Sequence, residues 1–440
     1  MTLLSILQDF ALASVFLLIG MVIREKVKFF QRIFLSTSLI AGTIALICGP
    51  QVLGLVDIPE TFSTCVSPLS NIIMTACIFG VAVNLKKVRG ILDFSFTSLF
   101  CYSMQLSVGI GVGYLLTKHW TNLYEGWGVA ALFSFHGGHP LAGAIETAWM
   151  PYGAETAANL RDLVNILSLV GLLTAVVLGT VFANIGVRKG YAAYTSKMSD
   201  LPPSFFGGLL SKEEQTSMGK NVTSSSSISG LALQLSMILF AYFIGEKFFL
   251  GLAPYVPFFA KIPSINYGLL GGIVMFAVMR KFKIDGWVNR EAVNSIQSCA
   301  LDYLIFGMMA TTNLQFLISN IVPIVVISLT MILLTYFQIY FFCKRYCKVD
   351  WFEKFLLLFG QCTGVMPTGL LLLREVDPDN KSEALMVDGI YAGTFGVFTN
   401  SFIAICGPMM GEGGIWPAFF LGIGCMIVFY IGIRLLGRAR

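Results

Sequence analysis

Apolar runs of about 20 residues recur along this chain, parted by short polar segments, and a run of that length is what a helix needs to cross a bilayer. In the first half they fall near residues 3–23, 33–55, 66–85, 94–117 and 163–187. In the second they fall near 229–252, 265–279, 293–316, 321–343, 386–409 and 415–434. Only 12% of residues are charged and 56% are hydrophobic, whereas a soluble domain carries roughly 25% charged residues. A water-soluble domain is excluded, and the pattern predicts an all-α polytopic membrane protein. The first run, MTLLSILQDFALASVFLLIG, has no basic segment before it and no small-residue cleavage site after it, so it reads as a retained helix.

Two further apolar segments, 126–150 and 354–373, are broken in the middle by glycine and proline, in HGGHPLAG and GQCTGVMPTG. Gly costs a helix interior about 1 kcal/mol relative to Ala and Pro about 3. Backbone groups freed in this way cannot face lipid, so such breaks belong inside protein or beside water.

The basic residues decide how these segments are threaded. If both broken segments enter and leave on one side, as re-entrant hairpins, all of the 29 Lys and Arg except Lys118, Arg161, Lys247 and Lys261 fall on one face. The positive-inside rule makes that face cytoplasmic, with the N-terminus outside and the C-terminus in the cytoplasm. Read as full spans, the segments would destroy this asymmetry. The basic residues form no continuous stripe, and a nucleic-acid partner is not expected.

Five crossings per half is an odd number, so a duplicated unit inserts its second copy upside down. IFGVAVNL at 78–85 resembles IFGMMATTNL at 305–314, and a glycine-broken hairpin precedes the fifth crossing in each half. The expected division is a first five-helix repeat over 1–187, a cytoplasmic linker over 188–228 containing SKEEQ and SSSSIS, an inverted second repeat over 229–410, and one additional C-terminal helix over 411–440.

Several residues could carry chemistry. In the first hairpin Ser134, Gly137, Gly138 and His139 offer side-chain partners and exposed backbone, although small residues also serve close helix packing. In the second, Gly360, Thr363, Gly364, Pro367 and Thr368 offer hydroxyls and unwound carbonyls; the alternative is a kinked helix whose threonines bond their own backbone. Asp302 lies deep in an apolar run, where an ionisable side chain is costly and points to function. Asp162 and Asn165 share a helical face beside Arg161, forming a cation site, an Arg-assisted carboxylate site or an interfacial ion pair. Asn84, Asn313 and Asn400 are buried-amide candidates for cation ligands, and Gln105 is a further buried amide; such groups also glue helices together. His136 and His139 lack a nearby third ligand for a transition metal, and Cys343 and Cys347 lack a second pair. The Asn221-Val222-Thr223 acceptor pattern falls in the cytoplasmic linker. No P-loop, GxSxG or HExxH pattern occurs.

SFHGGHPLAGA followed by YGAETAANL, SMQLSVGIGVG at 103–113, IPSINYGLLGG at 262–272, and Gly360, Cys362, Gly364, Pro367 and Thr368 together resemble the sodium/glutamate symporter family of bacterial secondary transporters. The resemblance spans roughly residues 1 to 410. It implies two inverted repeats, a homodimer in the bacterial inner membrane, elevator-like movement, and hairpins meeting at a site for a dicarboxylic amino acid coupled to Na⁺. It carries Ser134, Gly137, Gly138 and His139 to the first hairpin's site and Gly360, Pro367 and Thr368 to the second's. Pro140 replaces a glycine of the family pattern, and Gln361 stands where histidine is common.

The expected function is therefore Na⁺-coupled symport of a small carboxylate such as glutamate, with no cofactor beyond the coupling ion and no enzymatic step. A Na⁺- or H⁺-coupled carrier of a hydroxycarboxylate or of another amino acid is the alternative within transport. A membrane-embedded enzyme would need a nucleophile-base pair or metal set, and a receptor a sizeable soluble domain.

Overall fold

The computed structural model describes residues 3–32, 35–78, 91–120, 123–194, 222–224, 226–256, 264–377 and 381–438. The described residues are helical, with no strand among them. The first half builds α1 (Leu3–Lys26), α2 (Thr37–Cys48), α3 (Val66–Ile78), α4 (Leu92–Thr117), α5 (Val129–Leu132), α6 (Pro140–Trp149) and α7 (Ala154–Arg188). The second builds α8 (Gly230–Leu252), α9 (Ile265–Lys281), α10 (Arg290–Ala310), α11 (Ile321–Tyr346), α12 (Trp351–Thr363), α13 (Met366–Val376), α14 (Ala384–Gly413) and α15 (Ile415–Arg438). Six of them, α1, α4, α7, α8, α11 and α15, are long and apolar enough to cross a membrane. The chain is an integral membrane protein.

Differences from the expected spans have local causes. The run at 33–55 forms only the short α2, stopped by Gly49 and Pro50. The run at 293–316 is not one helix: α10 ends at Ala310, and Asn313 caps a new short helix, Leu314–Ser319, by accepting from Phe316 N–H at 2.9 Å. Conversely α7 starts at Ala154, ahead of the expected 163, because the good helix formers of AETAANL extend it. Most of the 188–228 linker, the 79–85 half of the IFG similarity, Asn84 and Asn221 lie outside the described residues.

The helices pack as two groups. In one, α1 lies on α2, α8 on α9, α2 and α3 on α10, and α3 on α9. The α8–α9 contact is backbone-close, since a Cβ at Gly271 would stand 1.7 Å from the Ala241 carbonyl oxygen, the small-residue packing that membrane helices use. In the other, α4 lies on α11 and α15, α5 on α4, α12 on α11, α7 on α6, α12 and α13, and α14 on α6 and α15. The groups meet mainly where α3 packs on α6. Of the long helices α4 is the most buried, and α1 and α15 turn apolar side chains such as Leu18, Phe420 and Val428 outward.

Candidate functional site

Both broken segments are helix, break, helix. The first descends along α4: Gly109 and Gly113 of α4 lie against Gly128, and Trp127 Nε1 donates to the Gly113 carbonyl at 3.1 Å. A π-helical turn, Phe133–Gly137, follows α5, and Gly138 then takes φ of +70° before Pro140 opens α6. Tyr124 and Trp149, before and after the break, are neighbours. The second segment is a tight pair, because Gly360 of α12 and Gly369 of α13 lie backbone against backbone. Its own break is at Gly364 and Val365.

The two breaks meet. A Cβ at Gly138 would stand 2.2 Å from Val365 Cγ1, and one at Gly171 of α7 would stand 2.1 Å from the Thr363 carbonyl oxygen. Their level is the middle of the long helices. Gln105, midway along α4, donates through Nε2 to the Cys362 carbonyl at 2.7 Å and to Thr335 Oγ1 of α11 at 3.0 Å. Tyr102, one turn away, sets its ring edge-on to His136 at 4.9 Å between centroids, and the Tyr391 hydroxyl lies 3.5 Å from His136 Nε2.

Buried polar atoms collect around this meeting. Among the described residues His136 Nδ1, His139 Nε2, Asn165 Oδ1, Ser168 Oγ, Gln361 Oε1 and both carboxylate oxygens of Asp388 have no hydrogen-bond partner. Unpaired buried polar atoms are uncommon and call for an explanation, a ligand being one. Asn165, Ser168 and Gly171 recur at helical spacing on α7, so the first two continue the face that Gly171 turns to the breaks.

Of the expected hairpin residues, Gly137, Gly138, His139, Gly360, Gly364 and Thr368 flank the breaks, with His139 and Thr368 buried. Pro367 is in the first turn of α13. Ser134 and Thr363 are buried, but each hydroxyl donates to its own helix, Ser134 to the Ala130 carbonyl and Thr363 to that of Phe359. Thr363 thus follows the backbone-bonding alternative given for the second segment, and Ser134 makes the same kind of bond.

The cation candidates separate. Asp162, Asn165 and Asn313 converge where α7 meets the end of α10. Asn165 Nδ2 donates to the Met308 carbonyl at 3.0 Å and to Thr312 Oγ1 at 2.7 Å, and the Asn313 backbone N–H faces Asp162. Arg161 bonds Asp162 Oδ1 at 3.0 Å and Glu146 Oε1 at 2.9 Å, a cation shared by two carboxylates. Asp302 is elsewhere: it accepts from Ser38 and lines a cavity of about 760 Å³ between α1, α2 and α10, with Arg24, Thr37 and Tyr303. Asn400 lies in α14. Cys343 and Cys347 are free and buried.

At the base of the second pair, Lys354 Nζ stands 3.7 Å from Asp93 Oδ2, both side chains buried. The Tyr194 hydroxyl donates to Asp350 Oδ1 at 2.8 Å, and this bond to a carboxylate pushes the phenol up to about 12. Sequence reasoning passed over Ser168, Glu375 and Asp388. Asp388 carries the same signal as Asp302, an acid in an apolar run, ALMVDGIYAG.

Compared with known proteins, the chain matches no family model and no curated sequence.

Proposed function

We propose that this protein is a secondary active transporter that moves a small carboxylate, glutamate being the first candidate, together with Na⁺ across a bacterial inner membrane. The observation that carries the reading is the meeting of two broken helices, with unpaired polar atoms around them, level with the middle of α4 and α11. Broken helices at mid-membrane are where secondary transporters bind substrate and ion. The anion sits against the broken backbone and His139, and Na⁺ takes Asp162 and the unpaired Oδ1 of Asn165, where bound cation offsets the anion's charge; Asn313, exposed and spent on its helix cap, is not a ligand.

The helix pairings support an inverted repeat. Exchanging α1, α2, α3, α4 and α7 with α8, α9, α10, α11 and α14, and the first broken pair with the second, turns α1–α2 into α8–α9, α2–α10 into α9–α3, α4–α5 into α11–α12, and α7–α13 into α14–α6. The α3–α10 and α4–α11 pairs map onto themselves. Each broken segment starting and ending on one level supports re-entrance. The separate packing of the group holding both breaks supports elevator-like movement against the other group, as in a homodimer built on the latter.

The test is uptake of radiolabelled L-glutamate into proteoliposomes under an inward Na⁺ gradient, with K⁺ replacing Na⁺ as control. Accumulation lost on replacement is the expected result. No accumulation by folded, inserted protein removes glutamate, and competition by hydroxycarboxylates and other amino acids then decides the substrate.

A further inference from the structure

Asp388 lies in the second turn of α14 and has no solvent exposure. Neither of its carboxylate oxygens has a hydrogen-bond partner among the described residues. An ionised carboxylate in that position would be buried with no opposite charge to offset its own, a heavily disfavoured state. The polar side chain that faces it is Gln361 of α12, itself buried, which offers the carboxylate an amide N–H but no charge. A neutral amide donor leaves the negative charge of the carboxylate uncompensated. A single proton removes that charge, and the neutral carboxyl can still accept from the amide through one oxygen. A metal cation would need a fuller shell of oxygens than these two side chains give.

Tyr391, one turn further along α14, accepts from Ser98 of α4 at 2.9 Å and stands against Cys362 of α12 and His136 of the first break. Phe94 of α4 packs edge-on to the same tyrosine. The titratable groups facing this corner are thus Tyr391, Cys362 and His136.

We infer that Asp388 is a proton-binding site, occupied in this conformation, with Gln361 beside it. Its role rests on the transport reading above: a proton taken up here travels with the substrate, in addition to Na⁺.

Infrared difference spectroscopy of the full chain in lipid nanodiscs tests this without any substrate. At neutral pH the wild type should show the carbonyl band of a protonated carboxyl, and Asp388→Asn should lose it while eluting as a monodisperse species. Gln361→Leu, which keeps the acid, should shift the band. Identical spectra for wild type and Asp388→Asn overturn the inference; should Asp388→Asn fail to fold, an unshifted band in Gln361→Leu overturns it. Absent glutamate uptake with the Asp388 band present removes the transport reading alone. Uptake without that band removes the proton site alone.

Discussion

At Gly138 a backbone that only glycine adopts readily, φ +70° and ψ −162°, coincides with a neighbour, Val365 Cγ1, standing where a side chain would begin. The conformation alone costs another residue about 1–3 kcal/mol, and the contact adds to it. Gly138→Ala should therefore lower the initial rate of glutamate uptake at least about tenfold, since each 1.4 kcal/mol is a factor of ten, while the protein still elutes as a folded species. Adding Val365→Ala should restore part of the rate and no more, because it relieves the contact and leaves the backbone strained; full recovery would show that the contact alone matters. The position was legible in the sequence because glycine and proline advertise a break. What the hydroxyls do was not: Ser134 and Thr363 face the choice between ligand and own backbone at every helical site, and spacing does not decide it. Nor does spacing say which way an acid points. Asp302 and Asp388 give the same signal, yet one lines an open cavity and the other is sealed against α12.

Among elements, α12 depends on contacts that no local pattern announces. Its first turn is fixed to α4 by the buried Lys354–Asp93 pair, and its last turn by Gln105 on the Cys362 carbonyl. Removing one member of a buried pair leaves an uncompensated charge and costs about 3–5 kcal/mol, whereas replacing both with apolar residues is often neutral. Lys354→Met should lower the thermal unfolding midpoint in detergent, and Lys354→Met with Asp93→Leu should recover most of the loss. An unchanged midpoint in the single variant would show that the pair does not hold α12 in place. The spans were legible where they are uniformly apolar. They were misjudged where a polar cap outweighs hydropathy, as Asn313 does in dividing 293–316.

For the molecule as a whole, the basic-residue asymmetry predicts an orientation that the packing leaves open. Tyr255, which is 83% exposed beyond α8, should lie outside, and Lys189, just beyond α7, inside. A membrane-impermeant maleimide should label Tyr255→Cys in intact cells, and label Lys189→Cys only after permeabilisation; the reverse pattern inverts the protein in the membrane. The proposed inverted repeat has only a faint trace in the sequence, a few residues of IFG sequence, because lipid-facing helices need apolarity more than any particular side chain.

The additional helix α15 gives this division an experimental use. It lies along α4, where Gly422 brings it so close to Ser107 that a Cβ would stand 2.1 Å from the hydroxyl oxygen. It is thus attached to the group that holds both breaks, while its outer side carries Phe420 and Val428. Leu18 occupies the corresponding outer side of α1 in the other group. A donor dye on one and an acceptor on the other form a ruler between the two groups, reading whether their separation changes when Na⁺ and glutamate are added.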